Sequence, residues 1–438
     1  MSLQEKLVTN FEAFEARLNG HASLPIHSVR KEAIEAFKAL GVPGPKNEEY
    51  KYTNLGKALE TAFDFSKAPQ KSELTSEQVA KYYIPELDAN QLIFINGKFS
   101  QELSNIKSPK DQLVIKNLAD AFAEDQDTID QFFSKQADFK KDAFVALNTA
   151  FSHDGCFIHV PKNTVVDKPI AMYFINDSSA GQSFNNPRNL FLIEQSSEVT
   201  FLEDFNTEGD NESLTNIVTE IVVEKNANVE YYKLQNNKDT AYHIGTTQVY
   251  QARDSRFSAY TFTLNGAMIR NNLNIVVDGE GCESNMYGLY LLNGNTHVDN
   301  HTEVDHVKPN CVSNELYKGI LDDKSHGVFN GKVFVRQEAQ KTNAFQSNKN
   351  ILMSDNTIMN SKPQLEIWAD DVKCSHGCTT GQLDEEGLFY LRTRGLSEES
   401  ARAMMLYAFA VDVLSTVKLD PLKTFLEDLI SERLQKDF

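Results

Sequence analysis

The hydrophobic period of this chain changes twice. Over roughly the first 150 residues apolar positions recur at helical spacing. Leu3, Leu7, Phe11, Phe14 and Leu18 form one such series, closed by Asn19-Gly20. Ala33, Ile34, Phe37 and Leu40 form a second, running from Val29 and closed by the Gly- and Pro-rich segment 41–45. Tyr50 and Tyr52, in the segment 48–55, read as packing against this helical pair. Residues 63–71 read as a loop and 72–83 as a short helix. Leu92 to Gly97 reads as a strand ending in an Asn-Gly turn, and 117–123, 128–135 and 143–151 as further helices.

From about Cys156 the period becomes two. Short runs such as Ile170–Ile175, Ile217–Val223, Val229–Leu234 and Asn285–Leu292 are punctuated by Asp278-Gly279, Asn293-Gly294 and Asn330-Gly331. No helical pattern interrupts them for roughly 200 residues. A single sandwich needs only about half that length. The pattern therefore favours stacked coils of a β-helix, about nine of them at roughly 25 residues each, although a large sandwich or a propeller also fits it. Leu365 to Val372 alternates like one more strand and runs on into Cys374, His376 and Cys378.

After Gly381 helical patterning returns. Asp384 is placed as an N-cap before Glu385 and Glu386, with Leu388, Phe389 and Leu391 on the apolar side and Arg392, Arg394 and Gly395 at the end. Ser397 caps the next helix, where Ala401, Met404, Met405, Ala408 and Val411 share a face. Asp420-Pro421 opens a third, as N-cap and first helical residue, with Leu422, Phe425, Leu426, Leu429 and Leu434. Three short helices cannot bury this surface among themselves, so they pack on the β region or on a partner.

Charge narrows the choice of partners. With 43 basic and 62 acidic residues the 438-residue chain carries −19, which disfavours nucleic acid and anionic membrane surfaces. The first six residues lack the basic-then-apolar pattern of a secretion signal, and no apolar run is long enough to span a bilayer. Five scattered cysteines in a large chain point to a reducing, cytoplasmic setting.

Two clusters carry candidate chemistry. On an extended strand Cys374, His376 and Cys378 face one side and offer donors suited to iron, copper or zinc. The bland alternative is two buried thiols and a structural histidine. A closed zinc site is disfavoured by the missing second ligand pair. His297 and His301 share parity and His306 does not; with Asp299, Glu303 and Asp305 they form either a metal cluster or, preferably, a polar β surface. Cys156, Cys282 and Cys311 read as structural. The chain has no P-loop and no Gly-x-Ser-x-Gly elbow, so it is neither a P-loop ATPase nor an obvious hydrolase.

The segment Lys362 to Gly377, followed by 381–386 and Leu388 to Gly395, closely resembles the SufB/SufD family of iron–sulfur cluster assembly proteins. Ser313–Leu321, Gly327–Lys332 and Ala339–Leu352 extend the likeness, which is dense from 280 to 412 and thins to Pro43 and Glu48–Leu55. Ala369 to His376 has the SufD rather than the SufB form. The resemblance implies a right-handed parallel β-helix (153–382) between an N-terminal, mainly helical region (1–152) and a C-terminal helical region (383–438). It implies a non-enzymatic scaffold that pairs with SufB, docks the ATPase SufC, and is able to pair with itself. The SufC contacts would be Leu388, Phe389, Arg392, Arg394, Met404 and Met405. His376 would be the metal-binding residue of a site shared with SufB, with Cys374 beside it, holding iron or a cluster transiently and no tightly bound cofactor. Position 378, a small residue in the family, is Cys here, so the family gives Cys378 no role. A β-helix enzyme acting on polysaccharide, using Asp299, Glu303 and Asp305, is the alternative.

Overall fold

The computed structural model describes residues 2–16, 18, 26–65, 72 and 74–436, with the side chains of 435 and 436 left aside. The expected helix stop at Asn19-Gly20 and most of the loop after Phe65 lie outside these residues.

Long period-two stretches broken by short turns fold the middle of the chain into a parallel β-solenoid of about eight turns. Its strands form two ten-stranded sheets facing each other. In the first sheet Arg256 pairs with Glu283, Glu283 with Val312, Val312 with Asn343 and Asn343 with Lys373. Each coil therefore takes about 30 residues, not 25. The expected strands were too short: they run ten residues, as in Glu283–Leu292 and His297–His306. Fewer, wider coils result.

Inward side chains stack coil upon coil. Phe94, Phe174 and Phe205 lie with ring centroids 4.5 and 4.9 Å apart in the apolar interior. Such offset stacks add about 0.5–1.5 kcal/mol each beyond burial. Outside the first sheet Tyr232 stacks on Tyr260 and Tyr260 on Tyr287 (4.4 and 5.2 Å), and the C-terminal helices cover this face.

The N-terminal end is closed. Asn90–Ile95 joins the first sheet in parallel, then turns back through Asn96-Gly97, both at positive φ (48° and 74°), into antiparallel Lys98–Asn105. Val114–Asn117 ends the second sheet, also antiparallel. Helices Leu3–Glu15, Ile26–Leu40 and Ala143–Ala150 pack Leu3, Leu7, Phe11, Phe37 and Phe144 against Leu214, Val218 and Ile244 on the outside of that sheet. Tyr50 joins this cluster, as the spacing predicts, but Tyr52 is 38% exposed. Beneath the helices Arg188 meets Glu220 at 2.5 Å with both side chains fully buried, and Glu220 also accepts from the backbone N–H of Ser134, Gln136 and Ala137.

The C-terminal end is open. Ile358–Ile367 and Lys373–Gly381 are the last strands of the two sheets and each pairs along one edge only. The alternation read as one strand from Leu365 to Val372 is thus a corner. The second-sheet strand ends at Ile367 and the first-sheet strand begins at Lys373. Leu365, Ala369, Val372 and Cys374 all pack into one small apolar cluster across the corner, although the parity changes between Ala369 and Val372.

Helices Glu385–Thr393, Glu398–Leu414 and Asp420–Lys436 follow. Asp384 and Ser397 cap the first two, accepting from the N–H of Glu386 and Ser400. The third begins at Asp420 itself, one residue before the expected start. The second buries Leu406, Ala410, Val413 and Leu414 on the first sheet, and Ala401 is buried too. Of the face expected to be shared, only Ala401 is buried, while Met404, Ala408 and Val411 point outward. Among the described residues no helix is long and apolar enough to cross a membrane.

Candidate functional site

The edge strand Lys373–Gly381 sets the geometry of the site. Its backbone pairs Ala344 with Cys374, Gln346 with His376 and Asn348 with Cys378. Ala344, Gln346 and Asn348 are buried and face the interior of the solenoid. Parallel, in-register pairing puts Cys374, His376 and Cys378 on that same inward side. No coil of this chain covers them, so His376 and Cys378 are exposed and Cys374 is half-buried. The expected common face is present, and it is the floor of the open end.

The three donors sit in different surroundings. Cys374 packs with Val333, Val335, Ala344 and Leu365, and burial pushes its thiol up. Cys378 Sγ lies 3.9 Å from Asn348 Oδ1. Thiol ligands to a soft metal act as thiolates, and burial holds Cys374 toward the thiol form, which makes it the poorer donor. Among the described residues no group of three or more His, Cys, Asp or Glu side chains is arranged to hold a metal ion.

A polar column runs inward from His376. Gln346 Nε2 donates to Glu315 Oε2 at 2.7 Å, and Thr302 Oγ1 donates to Glu315 Oε1 at 2.5 Å. Burial pushes the Glu315 carboxyl up to about 7 against these two hydrogen bonds. Glu315, Gln346 and His376 occupy one register position in three successive coils. Sequence reasoning missed the first two. The signal that finds them is their recurrence at one coil length, which requires the true coil length.

The histidine-rich segment is a clamp, not a metal site. His297, Asp299 and His301 face outward and His306 inward, as parity predicts; His306 bonds Ser313 Oγ at 2.9 Å. Asp299 takes Arg270 Nη1 and Thr53 Oγ1, each at 2.6 Å, while Arg270 also donates to the Glu49 carbonyl and lies 4.1 Å from the Tyr50 ring centroid. Burial opposes the Asp299 charge, but His301 and Arg270 hold its pKa below the usual carboxylate range. His301, with Lys332, pulls Glu49 down to about 2. The cluster straps residues 49–53 onto the second sheet. Asp305 is held by Arg336 at 2.8 Å through both oxygens. Asp299 and Asp305 are thus committed to cations, and of the three carboxylates proposed for sugar chemistry Glu303, pushed up by burial, is the one left without an ion pair among the described residues.

On the C-terminal helices, Glu385–Thr393 buries no residue. Phe389 is 69% and Met404 52% exposed. Leu388 and Met405 are half-buried, and Met405 closes over Gly387. Arg392 pairs with Glu398 at 3.2 Å and Arg394 stacks over Tyr390. Phe389, Arg392, Arg394 and Met404 are exposed on these helices, while Leu388 and Met405 are partly covered.

Comparison with known proteins matches residues 174–409 to the SUF system FeS cluster assembly SufBD core domain and 1–172 to the SufBD protein N-terminal region. An iron-sulfur cluster assembly SufBD family protein of Synechocystis is 31% identical over 96% of this chain and 93% of its own length. The iron-sulfur cluster assembly protein SufD of Escherichia coli is 30% identical over 92% of each chain, and that of Bacillus subtilis 24% over 99% of this chain and all of its own.

Proposed function

The chain belongs to the SufBD family, whose role is iron–sulfur cluster assembly, and from that premise we propose that it is a scaffold subunit whose working site is completed by a second chain. The open end of the solenoid carries this reading. Its two last strands each leave one edge unpaired, and Ile358, Ile367 and Trp368 are 52%, 40% and 48% exposed around them. Unpaired edges beside exposed apolar side chains are the ordinary template for adding another chain's strands. The partner would be SufB, or a second copy of this chain in its absence.

In this reading His376 offers one donor to iron or a nascent cluster, and the partner supplies the rest. The cluster is cargo, held while it is built and then released, so the chain keeps no resident cofactor and runs no catalytic cycle of its own. Cys374 shapes the floor of the site. The outward surface of Phe389 and Met404 would dock the ATPase SufC, whose movement would open and close the shared site through the C-terminal helices. The setting is the cytoplasm.

One reconstitution tests both halves. This chain, the SufB partner and the ATPase are assembled, and the cluster formed is followed by its visible absorption. His376→Ala is expected to lower cluster yield by at least about tenfold, the scale for losing a ligating group or its support, with the complex intact. Phe389→Ala combined with Met404→Ala is expected to lose the ATPase and keep the partner. Wild-type cluster yield in the first variant, or full ATPase retention in the second, would overturn that half.

A further inference from the structure

We propose that Cys282 and Cys311 form an oxidisable pair, which a hydroperoxide closes into a disulfide joining two consecutive coils of the solenoid. Neither residue belongs to the open-end site, and the inference stands without the reading above.

The two cysteines occupy one position in successive coils. Cys282 precedes strand Glu283–Leu292 and Cys311 precedes Val312–Leu321. Glu283 pairs with Val312, and Val312 N–H donates to the Cys282 carbonyl at 2.9 Å. Neighbouring parallel strands lie about 4.8 Å apart, within the Cα separation of about 4.4–6.8 Å that a disulfide accepts. Both thiols point under the same turn. Cys282 Sγ donates to the Gly279 carbonyl at 3.3 Å and Cys311 Sγ approaches the same oxygen at 3.1 Å. Ser255 and Thr342 hold this position in the coils on either side. The place accepts a small hydroxyl side chain, so packing alone does not call for two adjacent thiols.

The surroundings also prepare one sulfur to react. The neighbouring Cys311 side chain, with the Ser255 hydroxyl 3.7 Å from Cys282 Sγ, draws the Cys282 thiol down to about 7 against burial. Cys282 is the nucleophile and Cys311 the resolving thiol. Above them Glu280 and Gly281 are exposed, so a single turn separates the pair from solvent. The Cys282 thiolate attacks one oxygen of the hydroperoxide. An S–O bond forms, the O–O bond breaks, and the departing oxygen takes up a proton. Cys311 sulfur then attacks the Cys282 sulfenic acid. The S–S bond forms, the S–O bond breaks, and the Cys311 proton leaves with hydroxide as water. Two thiols lose two electrons in all, and the hydroperoxide gains them. Cys374 and Cys378 stand four residues apart on one strand, about 13 Å, so they cannot close in the same way.

The crosslink has a definite place in the fold. Leu289, Leu291 and Ile320, on the two strands it joins, pack with Leu406 and Ala410 of helix Glu398–Leu414, and Lys318 pairs with Asp412 of that helix. Oxidation therefore ties together the two strands beneath the C-terminal helices.

The test treats the folded full-length chain with hydrogen peroxide, blocks remaining thiols by alkylation in denaturant, and maps peptides without reduction. The expected product is a linked peptide joining Cys282 to Cys311, lost on dithiothreitol treatment and absent in Cys311→Ser. Recovery of both cysteines as free thiols, or Cys282 over-oxidised without linkage, overturns the proposal. The wild-type map decides the question even where a variant folds poorly.

Discussion

The two ends of the solenoid are built from the same kind of coil and finished in opposite ways. At the N-terminal end the chain reverses direction twice, in Lys98–Asn105 and Val114–Asn117, and antiparallel strands end both sheets. Helices then cover the adjoining face over a buried ion pair. At the C-terminal end the strands stop in parallel, with one edge free and Cys374, His376 and Cys378 facing an interior that no further coil fills. A parallel stack cannot satisfy its own last edge, because every strand needs a neighbour on both sides. One end finds its cap within this chain. The other keeps a cavity floor, soft ligands and apolar side chains for a neighbour. On the reading proposed above, the difference separates the part of the molecule that holds it folded from the part that would work with a partner.

The largest effect is expected at the closed end. Arg188→Ala would leave the Glu220 carboxylate buried without its cation, which costs about 3–5 kcal/mol. Urea unfolding measures it. A loss below about 1 kcal/mol would mean that the covering helices, not the ion pair, hold this end.

Deeper in the column that leads to His376, Glu315 makes stability depend on pH. Its folded pKa, about 7, is raised from an ordinary value of 4.5. Between those values the unfolded chain has released the proton and the folded chain keeps it, so stability falls as pH rises through that window. The fall is up to about 3 kcal/mol, complete above about pH 7. Glu315→Gln removes this contribution, so the difference in stability between about pH 5 and about pH 8 should shrink by that amount. An unchanged pH profile would show that Glu315 is ionised at neutral pH.

At the open end, Ile358→Glu with Ile367→Glu should move stability by less than about 0.5 kcal/mol, the usual range for exposed positions. The same pair should weaken association with the partner subunit by about tenfold or more, since it sets charge against an apolar contact. Sedimentation with the partner reads the affinity. Undiminished association would place the interface elsewhere.

Several elements were legible because their signals are local. The caps at Asp384 and Ser397, the Asn96-Gly97 turn and the parity that separates His306 from His297 and His301 needed only neighbours a few residues away. Lys98–Asn105 was missed because its side chains are mostly polar and half-exposed, so no apolar alternation marks it. The corner at 368–372 was read as strand because apolar residues packed in one cluster continue through it, despite the change of parity between Ala369 and Val372. Helix Glu398–Leu414 carries two apolar faces, and composition does not say which meets the sheet.

By itself the sequence determined the periods, the turns, the shared face of Cys374, His376 and Cys378, and through its motifs the family. The tertiary structure decided which residues stack. A period of two states which side of a strand a residue takes, but not which residue about 30 positions away lies above it. Register across coils comes from long-range pairing and from the packing of inward side chains. That pairing set Glu315 and Gln346 in line with His376, brought Cys282 over Cys311, and left one end of the stack without a neighbour.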